Sequence, residues 1–497
     1  MQGEGRATPV SAAVAIPESA SPRAQEEEPP GTQIPEPFGV NGRGRLTIGG
    51  CDTVELSATF GTPLYVFDES HVREQMRRYR RSLAAHYPKS TAYYASKAFL
   101  CAGMAALADE EGLGLDVVSG GEIFTALHAG VPAAKLMMHG NNKSLDELAM
   151  ALDAGVGRIV VDNFYELSVL EEMAAERGVR PRVLLRVTPG IEAHTHEYVE
   201  TGMVDSKFGF PLVDGLARRA AIMALRSKSL DLAGVHCHIG SQIFASKPLE
   251  AAAEVMVAFM AEIREVTGEV LEELDLGGGL GVRYVEGDDP PTVESFVRTI
   301  GRAVRYAAKR HNYPRPHLMI EPGRSIVNSA CLTLYTVGGL KEIPGVRTYV
   351  PVDGGMSDNP RPALYGSRYE AVIANRADAA PTRIVSVAGK CCESGDMLVR
   401  DVKLNDPRPG DILAVLGTGA YNYSMASNYN RIPRPAVVFA ANGEARVVVR
   451  RETYADLVSL DVTAAWTAAA PAVREVGGAV AADNGEDLAV GQRRTDD

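Results

Sequence analysis

Lys97 is a lone lysine at the point where a β-prone run, residues 91 to 95, is expected to end and a helix-compatible run to begin. Burial at a strand end disfavours the ammonium form, so we expect the pKa of this side chain to fall from about 10.4 toward neutrality. A neutral amine is a nucleophile that forms a Schiff base with an aldehyde such as pyridoxal phosphate (PLP). Taken alone, the run is better explained by a surface lysine at a strand-helix turn, because most lysines are exposed.

Other polar residues also occur where strands are expected to end, and together they favour a functional role for Lys97 over a surface position. From residue 91 onward, strand patterns alternate mostly with helical patterns, which gives eight strand candidates and favours a parallel (β/α)8 TIM-like barrel. Such barrels carry their chemistry at the C-terminal strand ends, so the residues there are expected to share one pocket. These residues are Lys97, Asp116, His139, Asp162, Arg186, His238, the glycine run 277–279 and Glu321.

The helical alternation fades beyond Arg324, where valine-rich pieces indicate mostly antiparallel β-structure. The predicted fold class is therefore α/β plus β. The barrel spans residues 68–322, and a second, mostly antiparallel β domain is built from both chain ends, residues 41–67 and 323–470. Residues 1–40 and 471–497 are expected to be a disordered extension and a disordered tail that carry no chemistry.

Composition excludes several classes of protein. The chain of 497 residues has 51 Lys and Arg against 63 Asp and Glu, a net charge of −12, which argues against nucleic acid as a partner. No apolar run approaches the roughly 20 residues of a membrane span. Six cysteines in so long a chain do not form a secreted disulfide framework, so we expect reduced thiols and a cytoplasmic protein.

Glu321-Pro-Gly-Arg324 places a carboxylate at a strand end and a guanidinium three residues later. A surface ion pair, worth about 0–1 kcal/mol, is the structural alternative. In the functional interpretation Glu321 pairs with the pyridinium nitrogen of PLP, and Arg324 binds a substrate carboxylate through two hydrogen bonds.

Glycines and histidines between residues 236 and 281 leave alternatives open. The run 277–281 could cradle a phosphate with its backbone N–H groups, and a plain tight turn is about as well supported. His236 and His238 would point to the same face of a strand, which allows a two-histidine metal site. No carboxylate or cysteine pair completes a recognised spacing, so we predict no metal; a flat cofactor stacked on His238 explains the segment equally well.

Taken together, residues 45–465 resemble the diaminopimelate decarboxylase family, PLP-dependent enzymes of the alanine-racemase-like (fold type III) group. The most specific stretches are residues 94–98, 116–122, 194–202, 236–242, 321–324, 359–366, 391–396 and 419–426. Ornithine and arginine decarboxylases share the lysine, Glu-Pro-Gly-Arg and a Cys-acid pair, but look less similar in stretches 359–366 and 419–426. The resemblance implies PLP-dependent decarboxylation of meso-2,6-diaminopimelate to L-lysine, the last step of lysine biosynthesis.

The resemblance also implies a homodimer with active sites shared between the barrel of one subunit and the β domain of the other. Lys97 would hold PLP covalently, His238 would stack on its ring, and Cys392 of the partner subunit would lie near the reacting carbon. The implied cofactor-binding set is Lys97, Asp116, His238, Ser241, Gly278, Gly279, Glu321, Gly323, Arg324 and Tyr421. The implied substrate-binding set is Arg324, Arg361, Tyr365, Glu393 and Tyr421, with Glu393 also coming from the partner subunit.

Two other hypotheses remain open at this point. A decarboxylase of another basic amino acid, or a racemase, would use the same fold, but Arg361 and Glu393 argue against it. A catalytically inactive homologue with a binding or regulatory role would be signalled by loss of Lys97 or Cys392, and both are present. Either Cys392 or Lys97 could return the proton to carbon after CO2 leaves, and the sequence does not choose between them.

Overall fold

The computed structural model describes residues 34–191 and 206–462. Most of the expected N-terminal extension, the whole expected C-terminal tail and the family-like stretch 194–202 lie outside the described residues. Within the expected extension, Gly39–Val40 form a short strand that pairs with Leu46–Ile48. The described part of residues 453–497, a separate compact unit, contains the helix Tyr454–Val458.

Eight parallel strands close into a barrel, which confirms the predicted (β/α)8 fold. Each strand pairs in parallel with its neighbours, the eighth pairs with the first, and the fourth pairs with the fifth to complete the closure. The strands in chain order are Ser90–Ala95, Gly114–Val117, Leu136–Met138, Arg158–Val161, Arg182–Thr188, Asp231–His236, Glu273–Asp275 and His317–Ile320.

Helices surround the barrel and alternate with its strands. Asp68 caps the first of them, because its carboxylate accepts a hydrogen bond from the His71 N–H. Ser144 and Glu147 form a capping box at another, each side chain accepting from the other residue's backbone N–H. In the described residues the barrel helices are Glu69–His86, Ala102–Glu110, Gly120–His128, Leu145–Ala154, Phe164–Arg177, Leu216–Arg226, Lys247–Thr267 and Val293–Arg310.

The β domain is built from both chain ends, as predicted, and is mostly antiparallel. Its six-stranded sheet contains, in spatial order, Ala371–Ile373, Ile412–Leu416, Cys331–Thr336, Leu64–Asp68, Ala436–Ala441 and Glu444–Val449. A four-stranded sheet contains Lys341–Ile343, Arg347–Pro351, Arg383–Ala388 and Met397–Leu404. A small sheet contains Gly39–Val40, Leu46–Ile48 and Cys51–Asp52, and shorter helices are Thr53–Phe60, Arg324–Val327 and Arg361–Tyr365.

The strand Leu64–Asp68 shows how the sequence joins the two regions. All five of its residues are buried because both faces of the strand are covered: Tyr65 and Phe67 pack into one hydrophobic cluster, and Leu64 and Val66 pack into another. This burial on both faces explains the apolar run of residues 64–67. Its last residue, Asp68, is also the cap of the helix that leads into the barrel. Since no linker separates the sheet from that helix, the β domain is held directly against the barrel. Among the described helices, none is both long and apolar enough to cross a bilayer.

Candidate active site

A cavity of about 880 Å³ lies at the C-terminal ends of the barrel strands and reaches the β domain. The side chains that line it come from several strand ends and loops, as expected for this fold. Of the residues singled out from the sequence, those that line it are Lys97, His139, Arg186, His236, His238, Ser241, Glu321, Arg324, Arg361, Tyr365 and Tyr421. Gly279 and Gly323 line a smaller recess shared by Lys97, Ser241 and Arg324.

Lys97 lies in a one-turn helix, Ser96–Ala98, immediately after the first barrel strand. Its Nζ lies 3.1 Å from Oδ2 of Asp116, and 40% of its side-chain surface remains open to the cavity. The expectation of a lowered pKa is wrong. Burial does favour the neutral amine, but the charges of Asp116 and Glu321 outweigh it and raise the pKa of Lys97 above its ordinary value.

The buried carboxylate of Glu321 follows the eighth strand and lies between two imidazoles. Its Oε1 is 2.8 Å from Nε2 of His139 and 3.4 Å from Nε2 of His236. Burial alone would raise the pKa of Glu321, but the two histidines hold it well below its usual range. The site therefore contains an ionised carboxylate, which is the form that pairs with a protonated pyridine nitrogen.

The same three residues also bear on the metal hypothesis. No carboxylate near His236 in sequence completes a metal site, yet in space Glu321 and His139 bring ligand atoms within 4.8 Å of those of His236. Burial lowers the pKa of His236 to about 4, so its ring is neutral at physiological pH and has the protonation state of a ligand. The positions of these three residues thus permit two interpretations. They could bind a divalent ion, or the two histidines could keep the Glu321 carboxylate ionised.

His238 presents a neutral imidazole to the cavity. The Gly278 N–H donates to its Nδ1 at 3.3 Å, which leaves the ring proton on Nε2. Burial, reinforced by the positive charge of Lys97, lowers the pKa of His238 well below its ordinary value. A neutral ring beside Lys97 suits the stacking partner of a flat aromatic cofactor.

Three glycines allow backbone segments to approach closely beside Ser241 and Arg324. A Cβ at Gly278 would lie 2.1 Å from the Glu321 carbonyl oxygen, and one at Gly323 would lie 2.9 Å from the Cβ of Ala95. Gly279 has φ of +106°, which is in the region that favours glycine. Nε and Nη2 of Arg324 donate to Ser241 Oγ at 3.2 and 3.0 Å. Backbone N–H groups, a hydroxyl and a guanidinium in one recess fit a phosphate group.

Arg361 and Tyr421 bring the β domain into the cavity. Arg361 donates through Nη1 to the Ala420 carbonyl at 3.3 Å and through Nη2 to Ser367 at 3.1 Å, while its buried Nε has no partner among the described residues. Tyr421 has φ of +62°, which is uncommon for a tyrosine, and the Arg324 guanidinium lies 4.7 Å from the centre of its ring. These contacts place two cations on one wall of the cavity.

Tyr284 is a cavity residue that the sequence did not identify. Its hydroxyl oxygen accepts hydrogen bonds from Arg324 and from Nη1 of Arg361, the latter at 2.9 Å. The only sequence signal is an aromatic residue three positions after Gly281, at the end of the glycine-rich run that follows the seventh strand.

Cys392 and Glu393 are described residues that lie outside the set lining the cavity. Cys392 is exposed and Glu393 is half-buried; Oε1 of Glu393 accepts a hydrogen bond from Tyr429 and lies 3.6 Å from the Cys392 sulfur. Asp396 holds their loop in place by accepting from the N–H groups of Cys391 at 2.8 Å and Met356 at 2.7 Å. A single chain therefore does not bring these two side chains to Lys97.

Comparison with known proteins gives consistent relatives. The family model for the pyridoxal binding domain of pyridoxal-dependent decarboxylases matches residues 69–328. Diaminopimelate decarboxylase of Bacillus subtilis is 54% identical over 85% of this chain and 96% of its own length. The enzyme of that name from Mycobacterium tuberculosis is 44% identical over 84% of this chain and 95% of its own length.

Solved structures agree with the sequence relatives. A crystal structure of diaminopimelate decarboxylase from M. jannaschii in complex with L-lysine is 34% identical and has a TM-score of 0.80, covering 86% of this chain and 98% of that one. A lysine/ornithine decarboxylase from Vibrio vulnificus in complex with cadaverine is 23% identical, with a TM-score of 0.66, covering 79% of this chain and 96% of that one, and shares the fold.

Proposed function

The chain belongs to the diaminopimelate decarboxylase family of PLP-dependent enzymes, and from that membership we propose the following account of its reaction. It removes CO2 from meso-2,6-diaminopimelate and releases L-lysine, the last step of lysine biosynthesis. One observation carries the choice of substrate. Arg324 and Arg361 line the same cavity as Lys97, so a substrate joined to the cofactor at one end meets two guanidiniums at the other.

The residues present fit PLP. The recess beside Ser241 and Arg324 suits its phosphate, and the ionised carboxylate of Glu321 suits its ring nitrogen. When bound, PLP supplies a protonated ring that accepts the electron pair left as CO2 departs. Lys97 would hold it covalently, and the neutral ring of His238 would pack against its face.

The protein's own groups then control protons and orientation. Glu321, kept ionised by His139 and His236, would hold a proton on the ring nitrogen. Asp116 would orient the Lys97 amine through the contact of 3.1 Å. Two groups can return a proton to the carbon that loses CO2: Lys97 in the cavity and Cys392 of the partner subunit.

Specificity follows from the two arginines. The Arg361 guanidinium is buried, so an analogue without a carboxylate at its distant end would leave buried donors unpaired. Sites that hydrogen-bond a substrate group reject analogues lacking it by about 10⁴-fold. Arg324 and Arg361, with Tyr365 and Tyr421 beside them, would hold the carboxylate, and Glu393 of the partner subunit would bind the distant ammonium.

A release assay for CO2 tests the reaction. The purified protein with added PLP is compared on diaminopimelate, ornithine, arginine and lysine, and turnover is expected on diaminopimelate far above the others. Lys97→Ala is the matched control and should release no CO2. Faster release from ornithine or arginine would contradict the proposal, as would turnover by the Lys97 variant.

Neither Cys392, which is exposed, nor the half-buried Glu393 lines the cavity that contains Lys97, and this supports a homodimer with shared active sites. Coexpression of Lys97→Ala and Cys392→Ala chains tests this sharing, because a mixed dimer would contain one intact site of its two. Random pairing then makes about a quarter of all sites intact, so the activity of the mixture should exceed the average of the two variants assayed separately. Activity of the mixture no higher than that of the separate variants would contradict shared sites.

We also propose that the enzyme works in the cytoplasm. All six cysteines lie within the described residues and are free thiols, as expected in a reducing compartment. Fractionation of cells followed by immunodetection tests this location, and recovery with membranes or in the medium would contradict it.

A further inference from the structure

Tyr284 lies between the two arginines of the active-site cavity. Its hydroxyl oxygen accepts a hydrogen bond from Nη1 of Arg324 and another, at 2.9 Å, from Nη1 of Arg361. The Arg361 guanidinium also lies 5.3 Å from the centre of the Tyr284 ring. One phenol thus joins a guanidinium from the end of the eighth barrel strand to one from the β domain.

The chemistry of these groups fixes the direction of every hydrogen bond. Arginine has five N–H donors and no acceptor, so both contacts use the lone pairs of the Tyr284 oxygen. The hydroxyl proton must therefore be donated elsewhere. In residues 34–191 and 206–462 no acceptor for it is present, and Tyr284 lines the cavity.

We propose that Tyr284 is a specificity-determining residue that donates its hydroxyl proton to the distant carboxylate of the substrate and sets the separation of Arg324 and Arg361. This inference rests on the proposed function. A carboxylate at this wall receives donors from both guanidiniums and from the phenol. The phenol oxygen also lies between two like charges, which would otherwise repel each other in a partly desolvated cavity.

The loop that carries Tyr284 is held so that the phenol stays in place. The Asp288 carboxylate accepts from the N–H groups of Tyr284 at 2.9 Å and Val285 at 3.1 Å. Gln242 binds Val282 twice, donating to its carbonyl at 3.1 Å and accepting from its N–H at 2.9 Å. Donors fixed before the ligand arrives cost less ordering on binding, which favours a recognition role.

A purely structural role for Tyr284 is the alternative. Its ring packs edge-on against Tyr369, with 5.4 Å between ring centres, and Tyr284→Phe retains that contact while removing only the hydroxyl. Tyr369→Phe is the matched control. It removes a hydroxyl from the same aromatic pair, but that hydroxyl donates to Asn422 rather than contacting an arginine.

The test uses two ligands of the holoenzyme that differ by one carboxylate, L-lysine and cadaverine. Calorimetric titration of Tyr284→Phe should show lysine binding weakened by about 10- to 100-fold, the loss expected for one hydrogen bond to a charged group. Cadaverine has no carboxylate to meet the phenol, and Tyr284→Phe keeps the Arg324–Ser241 contacts of the phosphate recess. The affinities for cadaverine and, in the apoenzyme, for PLP should therefore change by less than about threefold. Tyr369→Phe should leave the ratio of lysine to cadaverine affinity at its wild-type value.

Three results would overturn the inference: equal weakening of both ligands, no weakening of lysine, or the same loss in Tyr369→Phe. Should Tyr284→Phe fail to fold, Asp288→Asn, which keeps the phenol but loosens its loop, must still weaken lysine more than cadaverine. The proposed function is judged separately. If the wild-type protein decarboxylates diaminopimelate and Tyr284→Phe keeps the wild-type lysine affinity, only this inference fails.

Discussion

The Nζ of Lys97 lies 3.1 Å from Oδ2 of Asp116, whose side chain is fully buried. The other carboxylate oxygen of Asp116 is 3.7 Å from Nε2 of His139, and that same nitrogen is 2.8 Å from Glu321. Basic and acidic groups thus alternate along the series Lys97, Asp116, His139 and Glu321. Glu321 is the carboxylate proposed to pair with the ring nitrogen of PLP. Each buried charge is compensated by a neighbour, so changing one group should alter the protonation of the next.

Asp116→Asn should lower the pKa of Lys97, because Asp116 is the largest of the influences that raise it and burial then has less opposition. The measurement is the pH midpoint for covalent capture of PLP by the apoenzyme, trapped with borohydride and located at Lys97 by mass spectrometry. We expect the midpoint to move to lower pH. Asp109→Asn, which removes the partner of Lys135 on a barrel helix, is the control and should not move it. An unmoved midpoint in Asp116→Asn would show that this carboxylate does not set the charge of the lysine.

Arg361→Ala should raise the KM for diaminopimelate far more than it changes PLP affinity. The guanidinium is buried, and its Nε, which has no partner in residues 34–191 and 206–462, can donate to a ligand. Loss of a charge-assisted contact predicts an increase in KM of at least about 10-fold. Arg361→Lys keeps the positive charge but cannot form a bidentate contact with a carboxylate, so it should recover only part of the affinity for diaminopimelate. A wild-type KM in Arg361→Ala would rule out the carboxylate role.

Local patterns in the sequence predicted the barrel and the strand ends that carry its polar residues, because strand and helix periodicities are set by neighbours along the chain. The charge state of Lys97 was mispredicted for the opposite reason. It depends on Asp116, which is on the next strand, and on Glu321, at the far end of the barrel sequence. Their distances from the lysine are fixed only when the barrel closes.

Tyr284 and the pairing of His139 with Glu321 escaped sequence analysis on the same grounds. Tyr284 is on a barrel loop, but its hydroxyl is placed by an arginine from the β domain. His139 was recognised as a strand-end residue, while its contact with Glu321 joins the third strand to the eighth. Contacts across the barrel leave no local periodicity to detect.

Gly278→Ala should weaken PLP binding and lower the free energy of unfolding. The new Cβ would lie 2.1 Å from the Glu321 carbonyl oxygen, a backbone atom that moves only if the end of the eighth strand moves. Overpacking of this kind costs about 1–3 kcal/mol. Gly339→Ala is the matched control, since a Cβ there meets no atom of the described residues within 4 Å. Chemical unfolding of the apoprotein and titration with PLP give the two readouts, and equal behaviour of the two variants would contradict the close approach.

His236 should make the apoprotein less stable as the solution becomes acidic. Burial lowers its pKa to about 4 from 6.5; His139 and Arg186 also lower it, while Glu321 opposes them. Between these values the unfolded chain binds a proton that the folded chain does not, so stability falls as pH drops from 6.5 toward 4, by up to about 3 kcal/mol.

His236→Gln removes this titration, so its urea midpoint should change less than that of the wild type between pH 6.5 and 4.5. The exposed His128 provides the control, His128→Gln, which should retain the wild-type change. Restricting the measurement to pH above 4.5 keeps it clear of Glu321, whose pKa lies well below that value because of its two histidines. Identical pH dependence in wild type and His236→Gln would mean that the buried imidazole is not the group whose protonation unfolds the barrel.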